Sequence, residues 1–123
     1  MLIFSNDILD TAKRSVQSID FPKKLAAKTT FASTGTEDIF NGRNTKDARK
    51  SCPRDLWRIA ARKLEQLDSV ALLDELRIPP GNRLEALSRD RKGQWSIRVN
   101  QQYRVCFVWT DDGPDAVEIV DYH

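Results

Sequence analysis

The sequence predicts one α+β domain in which helices pack on one face of a small antiparallel β-sheet. Apolar residues recur at helical spacing as far as Val70, and at a spacing of two after Pro79-Pro80-Gly81-Asn82. Short turns separate the later segments, so consecutive strands form hairpins and the sheet is antiparallel. One face of such a sheet is apolar and needs a cover, which only the preceding helices supply. A chain of 123 residues has room for one domain of this kind.

The N-terminal part differs from the rest of the chain and is predicted to be an extension. Residues 1–27 carry a weak apolar stripe at helical spacing, which Phe21-Pro22 ends. A short amphipathic helix is therefore expected before the main domain, which we place at residues 28–123. The stripe consists of Ile8, Leu9, Ala12, Val16 and Ile19.

The next segments lead from a strand to the clearest helix in the chain. Residues 29–34 favour a short strand because Thr and Phe suit a pleated surface. A helical turn follows from Gly35 to Phe40, and the polar, basic residues 43–51 are expected to form a loop. Pro53 then suits the first position of a long helix. The apolar face of that helix consists of Leu56, Ile59, Ala60, Leu64, Leu67 and Val70.

A second, short helix and four strands are predicted to follow. Ser69 is expected to cap the short helix. Its expected packing residues are Leu72, Leu73 and Leu76. Alternation of apolar and polar residues then predicts strands near residues 83–87, 95–99, 104–109 and 117–120.

The charge of the chain is unevenly distributed. Residues 43–63 hold eight Lys or Arg against two Asp, and residues 77–104 hold seven against two acids. Residues 105–123 hold five acids and no Lys or Arg. The basic middle of the chain could bind phosphates, and the acidic end could not. Ordinary charged surfaces of helices and strands explain these blocks equally well.

Composition excludes several classes of protein. The longest strongly apolar run has three or four residues, so we expect no membrane-spanning helix, and no secretory signal pattern is present. Two cysteines are too few for a disulfide scaffold, and the cytoplasm is the expected location. Two cysteines and a single histidine cannot build a zinc site of the usual kind.

The face of the sheet that points away from the helices carries residues suited to phosphodiester chemistry. By alternation, Arg98 and Arg104 lie opposite the apolar side chains, and Glu85 shares their face. The guanidinium groups of arginines bind phosphate oxygens in pairs. Tyr122 could stack on a base, and His123 could transfer a proton. RNA supplies its own 2′-hydroxyl nucleophile, so no metal is required. Composition and periodicity alone leave two interpretations open, an RNA-binding face and an ordinary solvated surface.

The chain resembles the HigB toxins, the killer proteins of type II toxin–antitoxin modules within the RelE/ParE superfamily. The likeness covers about residues 29–123 and rests on several spaced motifs that agree in order. The motifs are RLEAL at residues 83–87, DRKGQWSIRVN at 90–100, YRVCF at 103–107 and VEIVDYH at 117–123.

The resemblance implies an mRNA interferase that cuts mRNA in the ribosomal A site. We expect no cofactor, no metal and no membrane contact. The expected partners are the ribosome with its mRNA and a HigA-type helix-turn-helix antitoxin, through which alone the chain would reach operator DNA. The sequence does not place the antitoxin surface. Two partners are open for the basic helix face of Arg54, Arg58 and Arg62, namely acidic antitoxin segments and ribosomal RNA.

The resemblance also assigns roles to residues. Its C-terminal Asp-Tyr-His corresponds to Asp121, Tyr122 and His123, its sheet arginine to Arg104 and its loop arginine to Arg91. We expect His123 to transfer a proton, Asp121 to orient it and Tyr122 to position the RNA, with Glu85 as an alternative base. The predicted catalytic set is His123, Asp121, Tyr122, Arg104 and Glu85. The predicted phosphate-binding set is Arg91, Lys92, Arg98 and Arg89.

One departure from the family pattern keeps other functions open. The usual Lys-Gly is replaced by Ser88-Arg89, which removes a lysine and alters the turn if that turn needs a positive φ. The alternatives are a non-enzymatic inhibitor of DNA gyrase of the ParE kind and an inactive homologue that only binds an antitoxin.

Overall fold

The computed structural model describes residues 29–122, so the extension predicted at residues 1–27 and His123 both lie outside the described residues. The described chain forms three α-helices followed by four β-strands, with short 3₁₀ turns between them. The helices are α1 (Thr34–Phe40), α2 (Lys46–Ser51) and α3 (Trp57–Ser69), and the strands are β1 (Glu85–Ala86), β2 (Trp95–Arg98), β3 (Tyr103–Thr110) and β4 (Gly113–Asp121). No helix within residues 29–122 is long and apolar enough to cross a membrane.

The strand predicted at residues 29–34 is wrong in its second half and is reduced to an isolated parallel bridge in its first half. Phe31 forms only a single parallel bridge with Val117, and α1 already begins at Thr34. Ser33 accepts a hydrogen bond from the backbone N–H of Thr36, so this Ser-Thr segment caps a helix instead of extending a strand. Residues 29–32 therefore run along the sheet edge and lead directly into α1.

The loop predicted at residues 43–51 is wrong in its second half, which forms α2. The Thr45 hydroxyl accepts from the N–H of Ala48 at 3.0 Å, and Ala48 is fully buried. Packing also holds this polar helix against α1, because a β-carbon at Gly35 would lie 2.3 Å from the carbonyl oxygen of Asp47. A cap and a close helix contact outweigh the weak apolar pattern.

The long helix is confirmed, with corrections at both ends. Pro53 is the N-cap of a 3₁₀ turn at Arg54–Leu56, and regular α-helix begins only at Trp57. Ser69 is the last residue of α3, and its hydroxyl donates to the carbonyl of Gln66. The predicted cap at Ser69 is therefore wrong, and the next segment, Leu73–Arg77, is a 3₁₀ helix with no cap from Ser69.

The four strands form one antiparallel meander in the order β1-β2-β3-β4, which confirms the predicted fold class. Ile97 pairs with Val105 and Val105 with Ile119, and these side chains are buried against the helices. The residues between them, among them Ser96 and Arg98, point to the other face. The core between the helices and the sheet includes Leu64 and Leu67 of α3, Leu76, Ile97, Val105, Phe107 and Val117.

A buried amide joins the helical layer to the start of the sheet. Asn82 is fully buried, and its side-chain N–H groups donate to Gln66 and to the carbonyl of Leu76, each at 3.0 Å. Its side-chain oxygen accepts from the ammonium of Lys63, whose pKa is lowered by burial and by the nearby Arg62. Because every polar atom of this amide has a partner, the buried group stabilises the turn that precedes β1.

We predict that Asn82→Ala lowers the free energy of unfolding by about 2 kcal/mol, because the buried Leu76 carbonyl and the Lys63 ammonium lose a partner. Urea denaturation monitored by tryptophan fluorescence measures this loss. The control is Asn44→Ala, which removes an exposed contact with Arg49 and should shift the midpoint little. Equal stability of the two variants would show that Asn82 is not a structural anchor.

Candidate phosphate-binding cleft

A cleft of about 430 Å³ opens on the face of the sheet that points away from the helices. It lies where the turn before β1, the start of β3 and the C-terminal end of β4 meet. Three guanidinium groups and one carboxylate line it, so the cleft carries a net positive charge and suits an anion. The lining residues are Arg83, Leu84, Glu85, Arg98, Asn100, Gln101, Arg104 and Tyr122.

Arg104 is the most firmly held of the basic side chains in the cleft. Its Nε donates to the Ser96 hydroxyl at 2.7 Å, and its Nη2 donates to the carbonyl of Arg83 at 2.6 Å. Nη2 also lies 3.4 Å from a carboxylate oxygen of Glu85. The side chain is only 11% exposed, so these contacts fix the plane of the guanidinium before any ligand arrives.

The other walls of the cleft complete the positive site. Arg98 lies directly opposite Arg104 in the pairing of β2 with β3, and its Nε donates to the carbonyl of Asn100. Tyr122 is 41% exposed, and its ring centroid lies 5.9 Å from the Arg104 guanidinium carbon. A flat anionic ligand can therefore contact two guanidinium groups and an aromatic face together.

The structure divides the predicted site residues between two neighbouring clefts. Glu85, Arg98, Arg104 and Tyr122 come together in the first cleft. A second cleft of about 490 Å³ is lined by Ser88, Arg89, Asp90, Arg91, Val120, Asp121 and Tyr122. Only Tyr122 lines both, so it forms the boundary between them. Lys92 is exposed and lines neither cleft, and His123 lies outside the described residues.

Arg91 and Asp121, in the second cleft, are each tied to a neighbour. Arg91 donates to the side-chain oxygen of Gln94 at 2.9 Å and lies 3.6 Å from a carboxylate oxygen of Glu118. Asp121 accepts from the side-chain amide of Gln102 at 3.0 Å. Arg91 and Asp121 both remain at the surface, and these contacts restrict the conformations of their side chains.

Sequence reasoning missed Arg83 and Ser96. Arg83 follows the Pro80–Asn82 turn with a left-handed backbone, φ 46° and ψ 56°, which aims its carbonyl at Arg104. No residue-type signal predicts such a role for a backbone carbonyl. Ser96 could have been found, because alternation places it on the same face as Arg98 and Arg104, and register places it opposite Glu85.

Arg89, which stands where the family pattern has a glycine, occupies a turn with a positive φ. Its φ is 57°, in the left-handed region that disfavours residues with a β-carbon. The backbone is therefore strained at Arg89, and the side chain at this position places a guanidinium in the second cleft.

Both cysteines are buried thiols. Cys106 lies beneath the open face, where burial raises its pKa and the guanidinium groups of Arg91 and Arg104 oppose that change. Burial raises the pKa of Cys52 to about 11, with a further contribution from Asp55. Among the described residues, no group of His, Cys, Asp and Glu side chains is placed to hold a metal ion.

Comparison with known proteins identifies the class. A family profile described as the RelE-like toxin of the type II toxin–antitoxin system HigB matches residues 29–123. Toxin HigB-1 of Vibrio cholerae is 51% identical over 59 residues, 48% of this chain and 62% of that protein. An uncharacterized protein of Haemophilus influenzae is 35% identical over 66 residues, 54% of this chain and 65% of that protein. Each match thus spans less than two thirds of the relative.

Among solved structures, the YoeB dimer from Staphylococcus aureus is similar with a TM-score of 0.46 and 17% sequence identity, covering 80% of this chain and 98% of that chain. The profile match places the chain in the class of RelE-like toxins. Because that match covers most of the chain, the chain belongs to the HigB-like family of type II toxin–antitoxin toxins.

We predict that Arg89→Gly raises the free energy of unfolding by about 1 kcal/mol, because glycine adopts the left-handed region without steric cost. The matched control is Lys92→Gly, at a loop residue with φ −55°, which should bring no gain. Thermal and urea denaturation of both variants measure the difference. A loss of stability in Arg89→Gly would mean that the Arg89 side chain contributes more than its backbone strain costs.

We predict that neither thiol of the folded protein reacts with a thiol reagent at pH 8, whereas both react once urea unfolds the protein. Since the folded pKa of Cys52, about 11, lies above its ordinary value of 9.0, the free energy of unfolding should also fall as pH rises between these values. The absorbance of the aromatic thiolate that the reagent releases measures thiol reactivity. Denaturation at a series of pH values measures the change in the free energy of unfolding. Rapid labelling of the native protein would contradict this burial.

Proposed function

We propose that this toxin is a metal-independent endoribonuclease that cleaves mRNA in the ribosomal A site and is neutralised by a HigA-type antitoxin. The observation that carries the proposal is the cleft around Arg104, where a fixed guanidinium faces further cationic groups and an exposed tyrosine. Family membership supports the same reading, because endoribonuclease activity is typical of HigB and RelE-like toxins.

The reaction needs only a positioned phosphate and two proton transfers. The 2′-oxygen attacks the adjacent phosphorus, and the bond from phosphorus to the 5′-oxygen of the next nucleotide breaks. One proton leaves the 2′-hydroxyl and another reaches the departing 5′-oxygen, so the products are a 2′,3′-cyclic phosphate and a 5′-hydroxyl. Arg104 and Arg98 would stabilise the charge that develops on the phosphate oxygens.

The remaining residues have roles that suit their positions. Glu85 lies in the first cleft beside Arg104, where its carboxylate can accept the proton of the 2′-hydroxyl. Tyr122 would stack on a base between the two clefts, and Arg91 and Arg89 would hold a neighbouring phosphate in the second cleft. His123, which directly follows Tyr122 in the chain, would supply a proton to the 5′-oxygen, with Asp121 orienting it.

The ribosome would supply what the site itself lacks. The Glu85 side chain is 57% exposed, and its described contact is an ion pair with Arg104. A carboxylate so open to water does not orient a 2′-hydroxyl by itself. We therefore propose that the ribosome presents the codon in a reactive conformation, and that free RNA is cleaved slowly.

Primer extension on a defined mRNA in a reconstituted translation reaction tests this function. We expect cuts within A-site codons that need ribosomes and that disappear in a variant lacking His123. Cuts that survive the loss of His123 would move the second proton transfer to another residue. Intact mRNA in every reaction would overturn the proposal, and induction of the DNA-damage response would then favour a gyrase inhibitor.

We predict that Arg104→Lys abolishes growth arrest, because a lysine keeps the charge but cannot form the fork that contacts Ser96, the Arg83 carbonyl and phosphate together. The matched control is Arg58→Lys, at an exposed position of α3 away from both clefts, which should remain fully toxic. Growth after induction at equal protein level is the readout, with circular dichroism to verify folding. Undiminished arrest by a folded Arg104→Lys variant would contradict the assignment.

A further inference from the structure

A groove at the far end of the sheet is more apolar than the phosphate-binding cleft. It has a volume of about 400 Å³ and lies between the segment that leaves α3 and the turn that joins β3 to β4. Leu72 on its rim is 65% exposed, although the sequence predicts it as a packing residue. The lining residues are Asp68, Ser69, Val70, Ala71, Leu72, Trp109, Thr110, Asp111, Asp112 and Gly113.

The described chain begins at the edge of this groove. The hydroxyl of Thr29 donates to the carboxylate of Asp68, a lining residue, at 2.7 Å. The N–H of Thr30 donates to the carbonyl of Pro114, directly after the lining residue Gly113. These two bonds place the first described residues beside the groove, and 28 residues precede them in the sequence.

The composition of the preceding segment complements the groove. Its sequence offers the apolar stripe from Ile8 to Ile19, and then Lys23, Lys24 and Lys28 close to the exit point. The groove offers the exposed Leu72 beside the acidic turn of Asp111 and Asp112. Ile19 lies ten positions before Thr29, a length of chain that spans up to about 33 Å when extended, so the stripe can reach back to the groove.

We propose that the N-terminal segment of the same chain docks in this groove, with its apolar stripe against Leu72 and Trp109 and its lysines beside Asp111 and Asp112. Docking there keeps the segment away from the phosphate-binding cleft. Arg104 and the groove residue Thr110 stand at opposite ends of β3, about 20 Å apart at 3.3 Å per residue. The segment would thus anchor to the body without covering the site, and this inference is independent of the proposed catalytic function.

Hydrogen–deuterium exchange of the full-length protein tests this docking. We expect the amides of residues 8–19 to exchange at least tenfold more slowly than an unstructured peptide. Leu72→Asn should remove most of that protection without changing the charge, and Asp112→Asn should remove a smaller part. The matched control is Ile78→Asn, which changes a side chain that is 72% exposed and outside the groove and should leave protection intact.

Four outcomes would overturn the proposal. Rapid exchange of residues 8–19 in the wild-type protein would leave the groove to a separate partner. Protection that survives Leu72→Asn, or is lost equally in Ile78→Asn, would place the segment elsewhere. Protection that decreases on tenfold dilution of the protein would show that a second copy supplies the segment.

Discussion

The orientation of the Arg104 guanidinium depends on the buried amide of Asn82. Asn82 joins Lys63 and Gln66 of α3 to the turn before β1, and so fixes the backbone that follows. The next carbonyl, that of Arg83, accepts from Nη2 of Arg104, while the Ser96 hydroxyl accepts from Nε of the same guanidinium. A contact in the helical layer thereby sets the position of a cation on the far face of the sheet. Catalytic electrostatics require such preorganisation, because a mobile guanidinium would reorient during the reaction.

A residue with a strained backbone conformation lies on each side of the short strand that carries Glu85. Arg83 and Arg89 both have positive φ angles, 46° and 57°, and they flank the two residues of β1. Together they bend the chain sharply into and out of the sheet, and so place Glu85 opposite Ser96 and within 3.4 Å of Arg104. Strained residues of this kind persist where surrounding contacts determine the conformation, and at this site they present arginines to two neighbouring clefts.

Periodicity predicted the sheet, its meander order and the face that carries Glu85, Arg98 and Arg104, because alternation is a direct consequence of strand geometry. It failed at α2, where Thr45 and a close contact through Gly35 stabilise a helix with one buried residue. Periodicity also could not predict that Arg91 and Asp121 line a different cleft from Arg104. That difference depends on the side of Tyr122 on which each side chain lies. The roles of Asn82 and of the Arg83 carbonyl depend on tertiary hydrogen bonds, which a residue pattern does not encode.

The Ser96→Ala variant tests whether a fixed Arg104 guanidinium stabilises the reacting phosphate. This change keeps the charge of Arg104 but removes the hydroxyl that orients its Nε. The measurement is the single-turnover rate of cleavage of ribosome-bound mRNA at saturating protein. We expect this rate to fall roughly tenfold to a hundredfold, with folding and ribosome binding preserved. Cleavage at the wild-type rate would contradict it, because the orientation of Arg104 would then be irrelevant to the reaction.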